Sequence, residues 1–124
     1  MDKKQMDTLL SKAVKKYEPG VTSKMLESVS TNSEYIEIKI ENVEFEAVGT
    51  QLGMIGKILE YNEKKKTYTT CIMAGVANSN ASIVVVYVGD NVIVADAYAR
   101  EGIIKQHTAK KAIKKLNEHI QKNK

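Results

Sequence analysis

The sequence predicts a single α+β domain whose sheet is covered on both faces, and three observations carry that expectation. Residues 82–98 run as an apolar strand, a Gly89-Asp90-Asn91 turn and a second apolar strand. Strands that are apolar at nearly every position need other elements above and below them. Amphipathic helix patterns stand at both ends of the chain, and further strand-forming stretches lie between. With 124 residues and 43% apolar composition, the chain can bury one core and is too short for two, so residues 1–124 read as one domain.

Taken in order, Met6, Leu9, Leu10, Ala13, Val14 and Tyr17 fall at helical spacing, with Asp2 as a cap and Pro19-Gly20 as a stop. Lys15 and Lys16 lie near the carboxyl end, where positive charge suits the helix dipole. Val21, Met25, Leu26 and Val29, behind Thr22 or Ser23, allow a short second turn of helix, and residues 28–33 read as a polar loop. Residues 35–48 change apolar phase at Glu41-Asn42. A two-residue turn there would pair Ile40 with Val43, Ile38 with Phe45 and Ile36 with Ala47 on one face of a hairpin; one long bulged strand is the alternative. Over residues 50–64 the wheel favours a helix capped by Thr50, with Leu52, Met54, Ile55, Ile58, Leu59 and Tyr61 on one half and Lys57, Glu60, Glu63 and Lys64 on the other. Gly53 and Gly56 would lie away from the apolar stripe, tolerated or leaving room for another backbone.

Residues 63–66 form a charged turn, and residues 67–77, rich in Thr with Tyr68, suit a half-wet edge strand. After a turn at Asn78-Ser79-Asn80 comes the central pair. The last helix puts Ala109, Ala112, Ile113, Leu116 and Ile120 on one stripe, opposite Lys110, Lys111, Lys114, Lys115 and Lys122. The resulting order is helix, two strands, helix, three strands, helix, or αββαβββα.

The net charge of +4 is unevenly spread, at +3 over residues 1–17, −6 over 18–63 and +7 over 64–124. The like-charged pairs Lys110/Lys114 and Lys111/Lys115 make that helix face a candidate for an anionic partner, nucleic acid or acidic protein. Arg100 is the lone arginine and tryptophan is absent, which a nucleic-acid reader would use. The single cysteine, Cys71, precludes an internal disulfide and reads as a small buried hydrophobe. No stretch has the length of a membrane span or the form of a signal peptide, which makes the cytoplasm the expected compartment.

No catalytic constellation emerges. The run from Gly49 to Lys57 resembles a phosphate loop only superficially, because Gln51 stands where its first glycine belongs and Ile58 stands where Ser or Thr would bind magnesium. His107 and His119 are about three helical turns apart, too far to share a metal. Asp96, an acid among apolar neighbours, reads as a structural or surface group. The expectation is a non-enzyme without cofactor or metal.

The order of elements, the length, and the ending Gly102-Ile103-Ile104-Lys105 followed by Ala109-Lys110-Lys111-Ala112 resemble the roadblock domains, the family of the roadblock-type dynein light chains and of bacterial regulators of a Ras-like GTPase. Longin and profilin-like domains have related layouts. The resemblance implies a five-stranded antiparallel sheet with the second helix on one face and the terminal helices on the other. It also implies a homodimer formed through the second helix and the following strand, and a protein partner such as a small GTPase. The residues expected at that interface are Leu52, Met54, Ile55, Ile58, Leu59, Tyr61 and Tyr68, acting as a scaffold through buried area and strand pairing; the alternative site is the face of Lys110, Lys111, Lys114 and Lys115.

Overall fold

The computed structural model describes residues 1–102 and 104–123. The first helix, α1 (Lys3–Tyr17), begins where its residues require, since the Asp2 carboxylate accepts the Gln5 amide and the Gln5 side chain returns to the Asp2 N–H. A short α2 (Ser23–Glu27), capped by the Thr22 hydroxyl, and a single turn α3 (Val29–Asn32) follow. Residues 28–33, expected as loop, thus contain a helical turn, held because Val29 is fully buried under α1.

Strand β1 (Glu34–Lys39) matches the first half of the expected hairpin, but the second half does not form. A turn through Asn42, whose φ is 55°, leads directly into α4 (Phe45–Ile55). Phe45, Val48 and Leu52 are buried at helical spacing, so the helical period over 45–52 prevails over the alternation of Val43, Phe45 and Ala47. The partner that hairpin would have supplied is supplied by a distant strand, with Ile36 opposite Ala95 and Ile38 opposite Ile93.

The helix expected over residues 50–64 is also corrected. Helix α4 ends at Ile55, and Lys57–Asn62 form strand β2. The error has a geometric origin. Ile58 pairs with Thr70 and Tyr61 with Tyr68, while Leu59 and Glu60 together oppose Thr69 in a bulge. The extra residue puts Ile58 and Tyr61 on one face at a spacing of three, which is the helical signature. Gly56 sits at the junction because a Cβ there would lie 2.6 Å from the Cys71 carbonyl oxygen, whereas a Cβ on Gly53 would meet nothing within 4 Å.

Strands β3 (Thr67–Ala74), β4 (Asn80–Gly89) and β5 (Val92–Tyr98) complete the sheet, and a 3-10 turn (Val76–Asn78) connects the first two. All pairings are antiparallel, in the order β1-β5-β4-β3-β2. The central pair of strands is therefore where it was expected. The Thr-rich β3 is not an edge; it is paired on both sides, and β2 is the edge beyond it.

Helix α5 (Thr108–Lys122) lies beside α4 on one face, over Ile72, Val84, Val86, Ile93 and Ala95. Helix α1 with α3 covers the other face over Ile83, Val85, Val94 and Tyr98. The five-stranded antiparallel α+β class holds with helices on both faces. The αββαβββα order does not: one strand precedes α4 and four follow it. The terminal helices lie on opposite faces, contrary to the layout the roadblock resemblance implies. Of the ending that carried that resemblance, Ile103 lies outside the described residues, while Ile104 is exposed and Lys105 is in no strand.

Candidate functional site

The residues expected to form an interface do not share one surface. Leu52 is 1% exposed and belongs to the core, so it offers no surface. Leu59, turned by the bulge, packs toward the α1 side of the sheet. Ile55 and Ile58 are half-buried against the α4–α5 core, whereas Met54 and Tyr61 are 64% and 66% exposed.

Ile58, Tyr61 and Tyr68 come together in an open groove of about 420 Å³ between α4 and β2, with Phe45, Gly49 and Thr50 on its other wall. Its floor is rigidly built. The Tyr68 ring stacks on Phe45 with centroids 4.3 Å apart and planes 14° from parallel, and the Tyr68 hydroxyl donates to the Phe45 carbonyl oxygen at 2.6 Å. Burial raises the Tyr68 pKa, which keeps that hydroxyl protonated as a donor. Tyr61 leans over Tyr68 at 6.4 Å and 44°. Glu46 and Glu63 stand at the rim, and the Lys66 ammonium lies 5.3 Å from the Phe45 centroid. Phe45 was missed because it was assigned to a strand; its helical spacing to Val48 and Leu52 was the available signal.

The lysine face of α5 is less free than its sequence suggests. Lys115 Nζ donates to the Met73 carbonyl oxygen at 3.1 Å, and Lys114 lies 3.9 Å from Glu118. Lys110 and Lys111 are exposed and have no ion-pair partner among the described residues. The amino end of α5 is already supplied with a carboxylate, since Glu101 accepts from the Thr108 and Gln106 amides at 2.7 and 3.3 Å. His107 is the residue at which the helix starts, with φ 54°.

Asp96 lies on the opposite face of the sheet. It is fully buried on β5 beneath α1, between Tyr35 of β1 and Val85 of β4. No hydrogen-bond partner is placed on either of its carboxyl oxygens, and the groups that face it are the Asp7 carboxyl, the Ser33 hydroxyl and the Lys3 ammonium. Asp7 in turn accepts from Lys3 Nζ at 2.7 Å and from the Ser33 hydroxyl at 3.0 Å. Burial foremost, then the Asp7 carboxylate, pushes the Asp96 pKa up to about 8, against the opposing pull of Lys3 and Ser33. Burial would raise Asp7 as well, but its bonds to Asp96, Lys3 and Ser33 bring it below the ordinary carboxylate value. The sequence showed the odd acid; that Asp7 faces it is a product of the fold.

Among the described residues no three His, Cys, Asp or Glu side chains are grouped to hold a metal ion, and no helix is long and apolar enough to cross a membrane. Cys71 is half-buried, and burial raises its thiol pKa.

No family model matches the chain, and no curated protein matches it. Among solved structures it is similar to a TBP-like protein from Parabacteroides distasonis at 12% identity and a TM-score of 0.37. That match spans about half of each chain, 52% of both.

Proposed function

We propose that this chain is a non-catalytic interaction domain that binds a partner protein through the groove between α4 and β2. The observation that supports the reading is the groove itself. It is an apolar cleft over a stacked, hydrogen-bonded Phe45–Tyr68 floor, with Tyr61 held largely in solvent beside an unpaired strand edge. Exposed aromatics above a rigid apolar floor are the usual anchors of protein recognition. The bulge at Leu59 and Glu60 interrupts the ladder of β2, so the mode is side-chain insertion rather than addition of a long strand. Glu46 and Glu63 at the rim outweigh Lys66 over the Phe45 ring, a balance that favours a partner segment carrying aliphatic residues flanked by Lys or Arg. A second copy of this chain would bring the same acids against one another. A Ras-like GTPase stands as a candidate partner on the roadblock resemblance alone.

Titration of the nitrogen-15-labelled chain with a basic peptide of alternating Lys and Leu, and with its Glu-for-Lys counterpart, tests this. The expected result is that the basic peptide alone shifts amides around Phe45, Gly49, Thr50, Ile58 and Tyr61, and that Ile58→Asp abolishes the shifts. Equal shifts with both peptides, or shifts elsewhere, refute the reading. A mass that doubles with concentration and reverts in Ile58→Asp would replace the foreign partner by a homodimer.

A further inference from the structure

The face of the sheet opposite the groove carries a second device. Helix α1 is seated there by Met6, Leu10, Ala13 and Val14, all buried, and its first turn adds a knot of polar contacts beside Met6. Lys3 Nζ bonds Asp7, the Ser30 carbonyl oxygen at 3.1 Å and the Ser33 hydroxyl at 3.2 Å, which ties α1 to the α3 turn. Beneath this knot lies Asp96. A fully buried carboxyl with no donor on either oxygen and a second carboxyl facing it cannot ionise cheaply, so one of the two groups keeps a proton. One ammonium, Lys3, is present to balance them.

We propose that Asp7 and Asp96 share a single proton and act as a pH-sensitive latch that holds the amino end of α1 and the α3 turn on the sheet. The groups facing Asp96 are few. From α1 come Asp7 and Lys3, and Ser33 enters from the segment after α3. Tyr35 stands opposite it on β1, with its hydroxyl donating to the Met1 carbonyl oxygen at 3.4 Å. From β4 the neighbour is the apolar Val85. Only Lys3 is cationic, and it already serves Asp7, so a second negative charge at Asp96 has no partner of its own.

The sign follows from linkage. In the closed form Asp96 holds its proton up to about pH 8, while in an open form it would titrate in the ordinary carboxylate range near 4. The closed form therefore binds more protons across that interval, and the open form gains population about tenfold per pH unit within it. Above about 8 both forms are ionised and the dependence ends. Neutral pH lies inside the responsive interval. The latch is separate from the α4–β2 groove and does not rest on the function proposed for it.

Amide hydrogen exchange of the full chain, corrected for the intrinsic pH dependence of exchange, reads this directly. Protection of the α1 amides should fall by up to about tenfold per pH unit between pH 5 and 8 and then level, while protection in α5 stays flat. In Asp96→Asn, whose amide can donate to Asp7 as the protonated acid does, α1 protection should be high and flat. A pH-independent α1, an unchanged slope in Asp96→Asn, or an equal fall in α1 and α5 overturns the latch. Should the variant fail to fold, the carbon-13 carboxyl shift of Asp96 in the unaltered chain decides. A midpoint near 8 supports the proposal and one below about 5 overturns it.

Discussion

Replacing Tyr68 by Phe separates the two things this residue does for the α4–β2 groove. The ring stack on Phe45 survives, and the hydroxyl bond to the Phe45 carbonyl oxygen, 2.6 Å long, is lost. A buried neutral hydrogen bond contributes about 1 kcal/mol net. The Phe45 carbonyl, in the first turn of α4, can keep its helical donor, so the loss stays near that figure rather than reaching a full desolvation penalty. For a chain of 124 residues the entropy of unfolding near the midpoint is about 0.26 kcal/mol per kelvin, so the expected fall in Tm is about 4 °C. Tyr68→Ala removes the stacked ring as well and should cost about 3–5 kcal/mol. The two variants are compared by calorimetry on one preparation. A Tyr68→Phe protein within 1 °C of the parent would show that the hydroxyl does not hold α4 on the sheet, and the account of the groove floor as rigid would fall with it. One companion measurement sharpens the case. A Cβ at Gly49 would collide with the Tyr68 hydroxyl, so Gly49→Ala should be better tolerated in the Tyr68→Phe background than in the parent.

The other glycines of this region should respond in opposite directions. Gly53→Ala, solvent-facing inside α4, should stabilise by up to about 1 kcal/mol through helix propensity. Gly56→Ala drives a Cβ against the Cys71 carbonyl and should cost about 1–3 kcal/mol, both measured by urea unfolding. At low pH the latch acts through its other member. Because the folded Asp7 holds a lowered pKa, its contribution is present above about pH 4 and is lost as the pH falls through the folded value. Unfolding free energy should therefore dip on acidification below about pH 4, and less so in Asp7→Asn. On the lysine face, Lys115→Ala should release the Met73 carbonyl bond and speed exchange at the end of β3, without altering peptide binding at the groove.

Much of this architecture is written in local pattern. The α1 residues carry their own capping box and stop; the run 82–98 is so uniformly apolar that only the centre of a covered sheet could take it; and the stripe of Ala109, Ala112, Ile113, Leu116 and Ile120 has only one helical reading. Local pattern failed between residues 41 and 62, where two periods overlap. A bulge at Leu59 gave β2 the spacing of a helix, and Phe45, Val48 and Leu52 made a helix inside what alternation read as a strand. Both errors moved residues of the groove, which is why Leu52 and Leu59 were assigned to a surface they do not share with Tyr61 and Tyr68.

What the chain determines by itself is thus the class of fold, the central strands and the three long faces that cover or face solvent, because each depends on residues a few positions apart. What only the tertiary structure decides is adjacency across the sequence. Strand β1 finds β5 more than fifty residues away, Phe45 finds Tyr68 across the sheet, and Asp7 finds Asp96 from the far end of the chain. The groove and the shared proton both arise from such long-range pairings, which no period in the sequence encodes.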